Sequence, residues 1–149
     1  MEDSYAVAAL ARVLSAVIDS SGEFAVRLEF GRDAANHAVI GGHLVGTVTL
    51  QCQRCLEPMA VKLEIRPHLG LCSSEAEAER LPEELEPLIV GDAPLSIRKL
   101  VEDEILLALP IVARHARSCR EVPAADSEAP TRGARQPFRD LRKLLDKGD

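Results

Sequence analysis

Aromatic side chains are scarce in this chain. It has no Trp, one Tyr and three Phe among 149 residues. Stacking of bases on aromatic rings is the commonest way to hold single-stranded nucleic acid, so that mode of binding has little material here. The hydrophobic core must therefore be built from Leu, Val, Ile and Ala.

The sequence also lacks a secretory signal and a hydrophobic run long enough to span a membrane. The mostly apolar segment from Ala6 to Ile18 follows the acidic Glu2 and Asp3, is interrupted by Arg12 and is too short to cross a bilayer. We therefore expect a cytoplasmic protein with no membrane partner. Its four cysteines are then expected to be reduced thiols rather than a disulfide framework.

Positive charge is in deficit. The chain has 18 Lys and Arg against 24 Asp and Glu, a formal net charge of -6. The excess of acid lies in residues 1–92, whereas residues 93–149 are slightly basic. Any contact with RNA would therefore depend on a local basic face. No Gly-rich phosphate loop, no Ser/His/Asp order and no internal repeat is evident, so we expect neither an enzyme nor a small-molecule substrate.

Hydrophobic periodicity predicts an α+β fold in which helices pack on an antiparallel β-sheet. Apolar residues at helical spacing predict an amphipathic helix over residues 4–19. Alternating apolar and polar residues predict strands, with Gly41-Gly42 as a bulge or turn after the second of them. These strands are expected over residues 24–30, 37–40, 43–52, 59–65 and 88–90.

The clearest helical pattern begins after Ser96, a plausible N-cap, and ends at Pro110. It predicts a helix from Ile97 to Leu109. Glu102, Asp103 and Glu104 lie in its middle, where consecutive side chains point in different directions and cannot converge on one reacting atom. They are interpreted as a solvated helix face or a partner contact.

Cys52 and Cys55 form a Cys-x-x-Cys pair between the two best strand patterns, so they are expected at the tip of a long hairpin. That spacing allows both sulfurs to bind one metal ion. His115 and Cys119 supply a second pair of candidate ligands downstream. The four side chains together would fill all four coordination positions of a metal ion, which is typical of structural zinc. Two alternatives stay open, namely structural thiols without metal and a redox pair, although a hairpin lacks the helix that a thioredoxin-like pair requires. Cys72 is expected to pack at a strand end.

Basic residues surround this candidate site and recur near the C-terminus. Residues 1–120 are predicted to form a single α+β domain, residues 121–135 a flexible linker, and residues 136–149 a short basic helix. A cluster of guanidinium groups near the thiolates is expected to stabilise them, to contact RNA phosphates, or both. The candidate contact residues are Arg54, Arg114, Arg117, Arg120, Arg139, Arg142 and Lys143.

Several motifs taken together resemble the bacterial YceD family. They are Cys-Gln-Arg-Cys-Leu-Glu-Pro at residues 52–58, Leu-Pro-Glu-Glu at 81–84 followed by Glu-Pro-Leu at 86–88, Val-Glu-Asp-Glu-Ile-Leu-Leu-Ala-Leu-Pro at 101–110, His115 with Cys119, and Gln-Pro-Phe at 136–138. The resemblance runs from about Val45 to Leu145. The N-terminal segment departs from the family's usual longer, basic opening.

The resemblance implies a non-enzymatic factor needed for accumulation of large-subunit ribosomal RNA, and a metal-binding group. By position, Cys52, Cys55, His115 and Cys119 fall on the family's metal pattern, and no catalytic residue is available to transfer. The expected partner is ribosomal RNA or a ribosomal protein. The alternative function is an acidic adaptor, which would hold a basic ribosomal protein through the acidic residues 73–86 and the face of Glu102, Asp103 and Glu104.

Overall fold

The computed structural model describes residues 1–91, 93–117 and 119. Across these residues the chain forms one sheet with short helices beside it. The strands are β1 (Glu2–Ala6), β2 (Glu23–Arg32), β3 (Ala38–Gln51), β4 (Pro58–Ile65), β5 (His68–Cys72) and β6 (Glu86–Ile89). The helices are α1 (Ala11–Leu14), α2 (Glu75–Ala78) and α3 (Ile97–Ala108), with a 3-10 turn at Val7–Ala9. The α+β class expected from the sequence is confirmed.

The long strand β3 is the centre of the sheet. Residues 38–46 of β3 pair with β2, whereas its other edge is shared between two strands. Residues 39–41 pair with β5, and residues 44–51 pair with β4 up to the Gln51–Pro58 pair. The predicted Cys-x-x-Cys hairpin is therefore formed by β3 and β4, with the cysteines at its tip.

One face of the sheet carries the core. Phe24, Val26 and Leu28 of β2 are buried there, as the alternating pattern predicts. Helix α3 covers this face and buries Leu100 and Ile105 against it. The Ser96 hydroxyl accepts a 3.5 Å hydrogen bond from the Lys99 backbone, which confirms the predicted cap. The predicted helix end is correct to within one residue, since α3 stops at Ala108.

The sheet is mixed rather than purely antiparallel. β6 pairs with β5 in parallel, from Leu69 beside Glu86 to Cys72 beside Ile89. Parallel neighbours need a crossover connection, and residues 73–85 supply it. This acidic segment contains α2.

The predicted helix over residues 4–19 is wrong. Residues 2–6 pair with β2 as an edge strand, and only Ala11–Leu14 is α-helical. The apolar spacing still has a physical origin, because Val7, Leu10 and Val13 are all buried in the core. Short turns bring these three side chains inward, so their helical spacing reflects burial in the core and not a continuous helix.

The bulge or turn predicted at Gly41-Gly42 is also wrong, since both residues lie inside β3 and pair with β2 in unbroken register. Gly42 is needed for close packing instead. A Cβ atom there would approach Leu28 Cδ2 to 2.6 Å. The Gly42 N–H donates to the Pro67 carbonyl at 3.0 Å, at the point where the neighbour of β3 changes from β5 to β4.

The predicted solvated face on α3 is wrong for two of its three carboxylates. Glu102 is 4% exposed and Glu104 is 8% exposed. Glu102 Oε1 accepts a 3.0 Å hydrogen bond from the Arg12 backbone N–H, and Asp103 pairs with the Arg12 guanidinium. The acidic motif therefore ties the N-terminal segment to α3, and Glu102 and Glu104 are not an open face for a partner.

Among the described residues no helix is both long and apolar enough to cross a membrane. The linker predicted over residues 121–135 and the basic helix predicted over 136–149 lie outside the described residues. Arg120, Arg139, Arg142 and Lys143 lie there too, so their expected contacts stay predictions.

Candidate metal centre

The cysteine turn, residues 52–57, closes the hairpin between β3 and β4. The Cys52 N–H donates to the Glu57 carbonyl at 2.9 Å, and the Leu56 N–H donates to the Cys52 carbonyl at 2.8 Å. Leu56 adopts a positive φ of 66°, a conformation that L-residues other than Gly seldom adopt. This tight turn holds the backbone around Cys52, which is fully buried as its place in the apolar phase of β3 predicts.

The post-helix segment, residues 110–117 with Cys119, brings the second ligand pair to this turn. Pro110 ends α3, and the chain turns back towards the hairpin. The Gln53 N–H then donates to the carbonyl of the buried Ala113 at 2.8 Å. Sequence reasoning missed Ala113 because its contribution is a backbone carbonyl, a group that every residue carries.

The four predicted ligand side chains meet in one cluster. Cys52 Sγ lies 3.7 Å from Cys119 Sγ, and Cys55 Sγ lies 3.5 Å from His115 Nδ1. All four ligand atoms lie within 4.8 Å of one another. Ligands about 2.3 Å from a tetrahedral zinc would be separated by about 3.8 Å, so these spacings fit a single ion. The cysteines are free, and 3.7 Å is far longer than the roughly 2.05 Å of a disulfide.

The comparisons with known proteins agree with the sequence motifs. The family model described as large ribosomal RNA subunit accumulation protein YceD matches residues 40–145. The chain belongs to the YceD family. A Haemophilus influenzae protein named large ribosomal RNA subunit accumulation protein YceD is 32% identical over 123 residues, which cover 82% of this chain and 71% of that protein. No solved structure matches the chain.

Cys52 of this YceD-family chain already favours the thiolate form. The pKa of Cys52 is lowered to about 5, chiefly by a hydrogen bond from the Cys55 backbone N–H. Burial opposes this shift, and the backbone N–H groups of Arg54 and His115 reinforce it. Because the thiolate is the form that binds metal, the turn prepares Cys52 as a ligand before any ion arrives.

The pKa values of the other three ligands depend on their mutual contacts. For Cys119, burial raises the pKa, but hydrogen bonds from Arg54 and His115 outweigh it and the net shift is downward. For Cys55, the Glu57 backbone N–H lowers the pKa, but burial and the Cys119 and Cys52 sulfurs outweigh it, and the net shift is upward. Hydrogen bonds to Cys119 and Cys52 raise the pKa of His115. A metal ion would displace the protons that remain on the thiols and the imidazole when it binds them.

Arg54 links the two halves of the centre. Its Nε donates to Cys119 Sγ at 3.2 Å, and its Nη2 donates to the carbonyls of His115 at 3.3 Å and Arg117 at 2.7 Å. The guanidinium therefore has the thiolate-stabilising role expected for the basic cluster. The side chains of Arg114 and Arg117 are exposed beside the centre, where RNA contact remains a prediction.

The remaining cysteine and histidines lie apart from this centre. Cys72 is buried at the end of β5, as expected for a packing residue. His37 contacts Asp33 at 2.7 Å, His43 contacts Glu64 at 3.2 Å, and His68 contacts the Glu84 carbonyl at 3.1 Å. Within the described residues, the metal-ligating side chains gather only at the cysteine turn.

Proposed function

We propose that this chain supports the accumulation of large-subunit (23S) ribosomal RNA as a non-enzymatic factor built around a structural zinc ion. Membership of the YceD family supports the ribosomal role, because the family and the Haemophilus influenzae relative carry that role in their names. The contribution to ribosomal RNA could lie in its synthesis, processing or stability.

The donor set is the observation that carries the zinc proposal. Three sulfurs and one imidazole nitrogen converge within 4.8 Å, and soft thiolates with imidazole are the ligands that zinc favours. Four protein ligands fill a tetrahedron, whereas a catalytic zinc keeps one position for water. The ion would cross-link the cysteine turn to the post-helix segment, which is why we assign it a structural role.

Metal content tests this assignment. We expect protein purified under reducing conditions to hold about one equivalent of zinc, and Cys119→Ser to lose both the metal and stability. Cys72→Ser is the matched control, because it removes a thiol outside the cluster and should keep the metal. The zinc assignment would be refuted if the wild type held no metal and if all four thiols, the three of the cluster and that of Cys72, reacted freely.

Complementation tests the ribosomal role separately. In cells depleted of the native protein, we expect the wild-type chain and Cys72→Ser to restore the ratio of large-subunit to small-subunit ribosomal RNA. We expect Cys119→Ser to fail. Full restoration by a metal-free Cys119→Ser would separate the ribosomal role from the metal centre, and no restoration by the wild type would contradict the role itself.

A second candidate is the acidic adaptor, in which this chain holds a basic ribosomal protein without touching RNA. It is favoured by the exposed acidic side chains of residues 75–84, which would repel phosphates. Binding of the purified protein to ribosomal RNA fragments at increasing salt discriminates the two. Direct phosphate contacts weaken steeply with salt, whereas an adaptor would show no such binding at any salt concentration.

A further inference from the structure

Two thiols of the candidate metal centre touch one another. Cys52 Sγ lies 3.7 Å from Cys119 Sγ, although the two residues are 67 positions apart in sequence. Cys55 Sγ contacts the imidazole of His115 at 3.5 Å. A disulfide is roughly 2.05 Å long, so a displacement of less than about 2 Å would let Cys52 and Cys119 form one. This contact makes them a candidate pair for oxidation.

The two thiols differ in their access to solvent. Cys52 is fully buried, whereas Cys119 is partly exposed. An oxidant that arrives from solvent therefore reaches the Cys119 sulfur first, and the Cys52 sulfur lies behind it. Cysteines that sense oxidants commonly have this arrangement, in which an accessible sulfur lies next to a second thiol that can form a disulfide with it.

Hydrogen bonds between protein groups hold this pair in place. Arg54 donates to Cys119 Sγ at 3.2 Å and to two carbonyls of the post-helix segment. The Gln53 N–H donates to the Ala113 carbonyl at 2.8 Å and ties the same segment to the cysteine turn. Because the backbone bonds join the two segments directly, they keep Cys119 near Cys52 after a metal ion has left.

A disulfide between Cys52 and Cys119 would join the same two segments as the ion. Cys52 belongs to the cysteine turn and Cys119 to the post-helix segment, so the covalent bond would replace the cross-link that zinc provides. A bond that closes so long a loop stabilises the folded chain by restricting the unfolded one. A Cys52–Cys55 disulfide would close only the turn itself and would leave the post-helix segment without a cross-link.

We propose that a peroxide oxidises Cys119 and Cys52 to a disulfide, which empties the metal centre while the chain stays folded. This switch rests on the structural zinc of the proposed function and adds the regulation of that site. Zinc binds thiolates, so the disulfide removes two of its four ligands and leaves only Cys55 and His115. Arg54 loses its thiolate acceptor at the same step, because a disulfide sulfur carries no charge.

The reaction has two steps that balance. The Cys119 thiolate attacks hydrogen peroxide and becomes a sulfenic acid, and the O–O bond breaks to release hydroxide. The Cys52 thiolate then attacks the Cys119 sulfur, the S–S bond forms, and the sulfenic oxygen leaves as a second hydroxide. The two sulfurs lose two electrons, which reduce the peroxide, and two protons from solvent convert both hydroxides to water.

Treatment of the zinc-loaded full-length protein with hydrogen peroxide tests the switch. A chromophoric zinc indicator follows the released metal, and mass spectrometry of non-reduced tryptic peptides identifies the disulfide. Trypsin cleaves after Arg54 and so separates Cys52 from Cys55. We expect about one equivalent of zinc for each Cys52–Cys119 disulfide, with Cys55 and Cys72 still reduced, and a thiol reductant with added zinc should restore the loaded protein. Cys72→Ser is the matched control and should respond as the wild type does.

Thermal unfolding tests whether the disulfide replaces the ion. The oxidised, zinc-free protein should melt at a higher temperature than reduced protein stripped of zinc by a chelator. Cys55→Ser should still form the Cys52–Cys119 disulfide, since it keeps both thiols.

Three results would overturn the switch: zinc retained after peroxide treatment, a disulfide that involves Cys55 or a second chain, or an oxidised protein that melts no higher than the reduced metal-free one. In each of these cases the zinc content of the untreated protein stands, so the proposed function survives. A wild type that holds no zinc under reducing conditions would instead refute both the structural zinc and the switch.

Discussion

Replacement of Arg54 tests whether the metal centre depends on the contacts around its ligands. Arg54→Met keeps a long side chain but removes all three hydrogen bonds, to Cys119 Sγ and to the carbonyls of His115 and Arg117. The ligands themselves remain. We therefore expect a protein that still binds zinc, but more weakly.

The magnitude follows from what the guanidinium does. Loss of a group that hydrogen-bonds a metal ligand typically lowers metal affinity 10–100-fold. Arg54 both stabilises the Cys119 thiolate and fixes the backbone that leads to Cys119, through the His115 and Arg117 carbonyls, so we expect a decrease of about 100-fold. Arg54→Lys should fall between wild type and Arg54→Met, because an ammonium keeps the charge but cannot reproduce the planar arrangement of donors.

Competition with a chromophoric zinc chelator at neutral pH measures this affinity. Arg114→Met is the matched control, since Arg114 is an exposed neighbour that makes no hydrogen bond to another described residue. It should stay within about threefold of wild type. An Arg54→Met protein that binds zinc as tightly as wild type, or an equal decrease in Arg114→Met, would show that Arg54 acts only as one more surface charge.

Two further predictions concern stability. Burial and the Glu86 charge raise the pKa of Glu104, so the folded state favours the protonated side chain. The contribution of Glu104 to the free energy of unfolding is therefore full below the pKa of the unfolded state, and it is lost as pH rises through the higher folded-state pKa. Glu104→Gln should therefore increase the free energy of unfolding at pH 7 by roughly 0.5–1 kcal/mol, a figure reduced for solvent screening, and flatten its decline above about pH 4.5. Denaturant titrations at several pH values check this, and a less stable variant would contradict it. Leu56 has a positive φ and is 61% exposed, so Leu56→Gly should keep or raise the melting temperature, gaining up to about 1 kcal/mol. Leu56→Val should lower it, and the reverse order would show that Leu56 packing outweighs its backbone strain.

The cysteine turn and α3 were predictable because their signals are local. Hairpin pairing of β3 with β4 follows from two alternating segments joined by a short turn, and the bounds of α3 follow from the Ser96 cap and Pro110. The four candidate ligands could be named from the sequence, because Cys-x-x-Cys and a downstream His and Cys are a ligand pattern typical of structural zinc. Their convergence was a hypothesis until the structure placed them together.

The errors arose where burial had a non-local cause. Val7, Leu10 and Val13 have helical spacing, but hydrogen bonds to β2 outweigh the local preference and make residues 2–6 a strand. Glu102 was expected to be solvated, because carboxylates are rarely buried. It is buried because the Arg12 backbone N–H, 90 residues away in sequence, supplies a donor.

The sequence by itself determined the fold class, the hairpin, the long helix and the identity of the candidate ligands, since each depends on residue type and short-range spacing. Only the tertiary structure decided that Arg54 joins the ligands to the backbone, that β6 runs parallel to β5, and that Glu102 and Glu104 are buried. These features depend on which distant segments meet. Periodicity shows that a side chain is covered, but not what covers it.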